Sequence, residues 1–240
     1  MEWFKRWFNT TYYHLLYGKR NDEEAAFFLT NLLSQLKLQP QARCWDLNCG
    51  KGRHAVYLNK KGFEVIGTDL SEENIKYALQ SENEKLHFYK HDMRGLFYAN
   101  YFDAVFNLFT SFGYFKSKHD DEKVFQSVAN SLKPGGLFVL DFLNATRVIE
   151  SASCDEEKKI DDISFRITKK TENNFIVKEI KVTDNGKEHV YTEEVRAFTL
   201  PDFEALAQKA GLKLKNKFGN YAMQPFDENY SERLILIFVK

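Results

Sequence analysis

The stretch "CWDLNCGKGRHA", residues 44–55, decides the fold. A short apolar run containing Cys44, Trp45 and Leu47 carries Asp46 near its end. Glycines follow at 50 and 52, and then "HAVYLNKK" (54–61) has helical spacing. A run this short reads as a buried strand, and the glycines read as the turn into a helix. A strand that feeds a helix cannot return as a hairpin, so the next strand must be reached by a crossover.

Working outward, the same alternation continues. "FEVIGTDL" (63–70), "LHFYKHD" (86–92), "FDAVFNLF" (102–109) and "GLFVLDFL" (136–143) read as strands, with "EENIKYALQ" (72–80) and "DEKVFQSVANSL" (121–132) as helices between them. The predicted fold class is therefore α/β, a doubly wound, mostly parallel sheet with helices on its faces. Upstream, "NDEEAAFFLTNLLSQLKL" (21–38) has helical periodicity, Asn21 or Asp22 as N-cap, and a stop before Pro40.

Beyond Asn144 the period changes to two. "DISFRITKK", "NFIVKEIKV" and "EHVYTEEVRAFTL" alternate apolar and polar residues, with Asn185-Gly186 as the clearest hairpin turn. An antiparallel meander over about residues 160–200 is expected as an insertion in one domain spanning 1–240. A helix at "PDFEALAQKAGL" follows, with Pro201 in its first turn and Gly211 at its end. "KLKNKF" and "RLILIFVK" are two closing strands.

Composition limits the partners. Lys plus Arg and Asp plus Glu each number 34, so no global field favours nucleic acid, and a small molecule is the expected partner. The cysteines, Cys44, Cys49 and Cys154, lack zinc or disulfide-framework spacing, which points to no metal and to the cytoplasm. The N-terminal aromatic stretch is broken by charges, so stable membrane insertion is not expected. Residues 1–38 are expected to form a helical cover over the ligand; an interfacial helix with Trp3, Phe4, Trp7 and Phe8 on one face is the alternative.

Ligands of open α/β sheets lie beyond the carboxyl ends of the strands. Asp46, Asn48, Gly50 and Gly52 surround the first strand end, where glycines let backbone approach a ligand and helix N–H groups favour an anionic group. Asp69, with Leu70 after it, closes the second strand about twenty residues past the glycine loop, the spacing at which a carboxylate accepts ribose hydroxyls. Asp69 and Ser71 acting only as helix caps is the plainer reading. Asp92 ends the third strand, where it can accept from an exocyclic amine or simply occupy a surface turn. Asn107 ends the fourth, before an aromatic stretch suited to an apolar pocket wall or to core packing.

These segments resemble the class I S-adenosylmethionine-dependent methyltransferases. "CWDLNCGKG" resembles their first motif, "VIGTDLS" their acidic second motif, "HDM" the third-strand carboxylate and "SLKPGGLFVLDF" the turn before the fifth strand. The resemblance implies a Rossmann-like methyltransferase fold and S-adenosylmethionine as cofactor. The backbone around Asn48, Gly50 and Gly52 would lie along the methionine part, Asp69 would bind the ribose, and Asp92 and Met93 would flank the adenine. Asn107 and the following loop would face sulfonium and acceptor. "NLFTSFGYF" and the meander are similar to the small-molecule branch that includes sugar N-methyltransferases.

Asn48 departs from the usual glycine. Asn tolerates positive φ better than most residues, so the loop is expected to keep its shape. The implied activity is transfer of a methyl group to a nitrogen or oxygen of a small-molecule acceptor. His14, Tyr17, Ser111 and Tyr114 are the candidate acceptor-side residues, with no catalytic base demanded because the sulfonium is already electrophilic. Two rival readings stand beside it: an NAD(P)-dependent oxidoreductase, and a cofactor-binding module without catalysis. The meander is expected to shape the acceptor pocket or to form a homodimer contact.

Overall fold

The computed structural model describes residues 3–18, 22–150 and 154–240. Two short helices, α1 (Trp3–Trp7) and α2 (Thr11–Leu16), precede the longer α3 (Asp22–Leu36). The latter follows the predicted span; Asn21, the alternative N-cap, lies outside the described residues. Then come β1 (Arg43–Leu47), α4 (Arg53–Lys60), β2 (Glu64–Asp69), α5 (Glu72–Ala78), β3 (Leu86–Lys90), β4 (Phe102–Asn107), α6 (Lys118–Ser131) and β5 (Leu132–Leu143). The chain continues through α7 (Ala145–Glu150), four strands β6 (Cys154–Ile160), β7 (Ile163–Glu172), β8 (Phe175–Asp184) and β9 (Lys187–Arg196), then α8 (Leu200–Lys209), β10 (Lys213–Phe218) and β11 (Arg233–Val239).

The main sheet has the order β10-β11-β5-β4-β1-β2-β3; the first five strands in sequence pair in parallel, and β11 and β10 join antiparallel. Alternation along each strand divides the apolar residues between two faces. Trp45, Val105, Phe138, Leu236 and Phe238 pack under α6 and α8. Cys44, Val65, Ala104, Val139 and Ile237 pack under α3, α4 and α5. A sheet buried on both faces is the doubly wound fold that the sequence predicts.

The second sheet is a meander, β6-β7-β8-β9. Its two longer hairpins turn on Asn173-Asn174 and Asn185-Gly186, all four in the left-handed region, the geometry that matches strand twist. The insertion begins earlier than expected and has a fourth strand, because β6 reads "CDEEKKI" and gives no alternating apolar signal. A buried ion pair ties this sheet to helix α6 and the loop before it: Arg196, at the end of β9, bonds Asp121 of α6 at 3.2 Å and the carbonyls of Phe115 and Lys116 at 3.0 and 2.8 Å. Among the described residues, no helix is long and apolar enough to cross a membrane.

Candidate functional site

Strand order reverses between β1 and β4, and a cavity of about 1180 Å³ opens over the carboxyl ends of these strands. Asn48 has φ 62°, the left-handed conformation expected of it. Its side chain does more than tolerate that geometry. The Nδ2 group donates to the Ser111 carbonyl at 2.7 Å and lies 3.0 Å from Met93 Sδ, stapling the first loop to the loop after β4.

The two glycines differ. Gly50 has φ 56° and nothing within 4 Å of where a Cβ would project, so the backbone lies open to the cavity. At Gly52, with φ 85°, a Cβ would fall 2.8 Å from the Phe88 ring and 3.2 Å from Ala78. Gly52 therefore also serves close packing of α4 against β3 and α5, and it is not among the residues that line the cavity.

Asp46 is 1% exposed, and its Oδ2 accepts no hydrogen bond from a described residue. Burial pushes its carboxyl up to about 7, with the Ala55 N–H and the Arg53 charge pulling the other way. Asp69 accepts from the N–H groups of Gly50 at 2.9 Å and Ser71 at 2.8 Å. Burial raises its pKa, and these two bonds together with one from the Asn74 side chain counter the shift. A carboxylate offers about four lone-pair positions, so room remains for a ligand.

Leu70, Asp92 and Met93 line the cavity beyond Asp69. Asp92, however, is gripped by the Arg94 guanidinium, with Oδ2 at 2.6 Å from Nη2 and Oδ1 at 3.0 Å from Nε. This bond holds its carboxyl below the usual range. The same Arg94 reaches Asp120 at 3.3 Å. Asn107 also differs from expectation: it is fully buried beneath the site, donates to the Leu47 and Ser111 carbonyls, and does not line the cavity.

The loop after β4 is strained. Phe109 and Thr110 are consecutive non-glycine residues with φ 57° and 62°, a rare state for a β-branched side chain. Asp141, wholly buried on β5, holds them: its carboxylate accepts from the Phe109 N–H at 2.8 Å and its carbonyl from the Thr110 N–H at 3.0 Å. Arg233 completes the arrangement, bonding Asp141 Oδ1 at 2.8 Å and Thr110 Oγ1 at 3.0 Å. Asp141 lies in the stretch before and along the fifth strand, which carries no expected role for this side chain, and Arg233 lies in no motif; the antiparallel pairing of β5 with β11 brings them together.

All four acceptor-side candidates, His14, Tyr17, Ser111 and Tyr114, line the cavity. The Tyr17 hydroxyl donates to Glu193, and the Tyr114 hydroxyl to the Thr110 carbonyl. Burial and the Lys51 charge lower the pKa of His14. Helices α1 and α2 lie between the sheets: the Trp7 indole donates to Glu193 at 2.7 Å, Tyr12 bonds Asp184, and Ser71 donates to Asn9 at 2.6 Å. Trp7 and Phe4 are 1% and 8% exposed, and Trp3 and Phe8 are half-buried against the same core.

Comparison with known proteins adds identity to this geometry. A family model described as a methyltransferase domain matches residues 45–136. The chain is 31% identical over 193 residues to the methyltransferase-family protein YqeM of Bacillus subtilis (strain 168), covering 75% of this chain and 77% of that one. It is 28% identical over 179 residues to a dTDP-3-amino-3,4,6-trideoxy-alpha-D-glucopyranose N,N-dimethyltransferase of Streptomyces venezuelae, covering 71% and 75% of the two chains. In fold it is similar to an S-adenosylmethionine-dependent methyltransferase from Clostridium acetobutylicum ATCC 824, with a TM-score of 0.79, 22% identity and 95% of each chain covered.

Proposed function

Since the chain belongs to the S-adenosylmethionine-dependent methyltransferase family, we propose that it methylates a nitrogen or oxygen of a small molecule held between its two sheets. The observation that carries this reading is the pair of carboxylates, buried Asp46 and half-buried Asp69, bracketing the left-handed loop Asn48–Gly50 at the strand-order reversal. The residues present fit the cofactor. The unpartnered Asp46 Oδ2 suits its α-ammonium group, the open backbone at Gly50 suits close approach of the methionine part, and the remaining acceptor capacity of Asp69 suits a ribose hydroxyl. When bound, S-adenosylmethionine supplies an electrophilic methyl group on a sulfonium sulfur.

The chain then orients and excludes water. Asn48 and the Asp141–Arg233 pair fix the loop that runs from Leu108 to Ser111 along the cavity. Alignment of acceptor and methyl group is where such an enzyme lowers the barrier, and a held loop supplies it without a dedicated base. With Asp92 engaged by Arg94, the base half of the cofactor falls to Leu70 and Met93 and to the aromatic residues of α1. The inner face of the second sheet lines the cavity, which favours a role in shaping the acceptor site over a dimer contact for that face. A cytoplasmic placement belongs to this reading and is supported by Cys44 and Cys49, both buried free thiols.

The relatives named above are methyltransferases, which disfavours both a nicotinamide oxidoreductase and a module without catalysis. Calorimetric titration with S-adenosylhomocysteine, NAD and NADP tests the reading. Saturable binding is expected for S-adenosylhomocysteine alone, and Asp69→Ala should weaken it by at least about tenfold, the loss of roughly 1.4 kcal/mol of hydrogen bonding. Binding of a dinucleotide instead, or unchanged affinity in the variant, removes the assignment.

A further inference from the structure

Among the described residues, the second sheet has one covered edge and one open edge. Strand β9 is met by α1, and at its end the Arg196 N–H donates to the Gly113 carbonyl at 2.8 Å. Strand β6, at the other edge, pairs with β7 and with no other described strand. Asp155 to Lys159 are all exposed, and Ile160 is half-buried. An open edge offers a row of N–H and C=O groups to any strand that fits it.

Strand β6 reads "CDEEKKI", residues 154–160. Scattered edge lysines only discourage pairing. Here the charges are ordered: the acids come first, the bases follow, and the sign reverses about the middle of the strand. Facing residues of an antiparallel pair aim their backbone groups alike, and those directions alternate along each strand. A strand paired with its own copy must therefore match odd positions with odd and even with even. Centred on Glu157, such a pairing uses the whole of β6. Asp155 then faces the partner's Lys159, Glu156 faces the partner's Lys158, and symmetry repeats both pairs.

Opposite charges directly across a ladder stabilise it. Glu157 meets its own copy on the axis, but each is held by the Arg166 of its own chain, at 2.8 Å from Nη2 and 2.9 Å from Nε. Moving the centre to Glu156 sets Asp155 against a glutamate, and moving it to Lys158 sets that lysine against itself. Asp155, Glu156 and Lys158 keep contacts within one copy, such as the 2.8 Å pair of Glu156 with Lys158. The match asks for the order of signs along the strand and not for an unmatched charge.

We propose that two copies of this chain join through β6, paired antiparallel about Glu157, so that two four-stranded sheets become one of eight strands. The contact is isologous, with its two-fold axis perpendicular to the sheet. Both inner faces therefore stay on the same side, and the face that lines the cavity remains free for the acceptor.

Sedimentation velocity of the full chain tests this. At about 100 µM the wild type should run as a dimer of the 28.2 kDa chain. Asp155→Lys/Glu156→Lys sets like charges across all four side-chain pairs, and so does Lys158→Glu/Lys159→Glu. Each variant alone should dimerise at least about tenfold more weakly than the wild type. Mixed in equal amounts, the two restore the opposite-sign match and should form a mixed dimer. Their far-ultraviolet dichroism and S-adenosylhomocysteine affinity should stay at the wild-type level, since the four side chains are exposed and line no part of the cavity. A wild type that sediments as a monomer, variants that dimerise as well as the wild type, or variants that stay apart when mixed overturn the proposal.

Discussion

At the scale of single residues, Asn48 shows how one side chain can meet two demands. Its backbone takes the left-handed conformation that glycine usually supplies, and its amide bridges two loops that glycine would leave unlinked. The first property is legible from residue type alone; the second depends on a partner 63 positions away. His54 carries a consequence for pH. Its ring is buried, stacks on Phe109 at 4.9 Å and has its pKa pulled down to about 3 by burial and by Arg53. The folded protein thus keeps His54 neutral where the unfolded chain takes up a proton, below about pH 6.5. Stability should fall as pH drops from about 6.5 toward 3, by up to roughly 1.4 kcal/mol per unit from this group, and stay level above that window. Thermal melts from pH 7 to 5 check it: His54→Phe, which keeps a ring against Phe109, should lose less melting temperature than the wild type.

At the scale of elements, helices α1 and α2 are fixed on two sides. Glu193 gathers Trp7 and Tyr17 from the second sheet, and Ser71 reaches Asn9 from the end of β2. Removing residues 1–18 should therefore raise the dissociation rate of S-adenosylhomocysteine by about tenfold or more while the main sheet stays folded, as read by stopped-flow release and far-ultraviolet dichroism. The intact protein should not bind anionic vesicles through this segment, because its aromatic face is spent internally; strong vesicle binding would favour the interfacial alternative. The parallel strands and the Asn185-Gly186 turn were legible because buried runs and Asn-Gly turns are local signals. Strand β6 was not, since Glu156, Glu157, Lys158 and Lys159 pair across to β7 without an apolar face. The pairing of Asp141 with Arg233 was equally silent, because an ion pair made by antiparallel register between residues 92 positions apart leaves no local signal.

At the scale of the whole molecule, the Arg196–Asp121 pair joins the second sheet to helix α6, which packs on the main sheet, with side chains 7% and 1% exposed. Arg196→Met should leave Asp121 as a buried charge without its cation and cost about 3–5 kcal/mol, a fall in melting temperature on the order of 10 °C. Adding Asp121→Leu should recover much of that loss, since replacing both partners removes the stranded charge; a single variant that melts like the wild type would deny the pair its role. The two sheets also supply different walls of one cavity from separate stretches of chain, the loops after β1, β2 and β4 on one side and residues 154–196 on the other. Inheritance can therefore treat them separately: a lineage can rewrite the meander to greet a new metabolite while the strands that hold the methyl donor go on unchanged, and a chimera exchanging that block alone repeats the experiment in the laboratory.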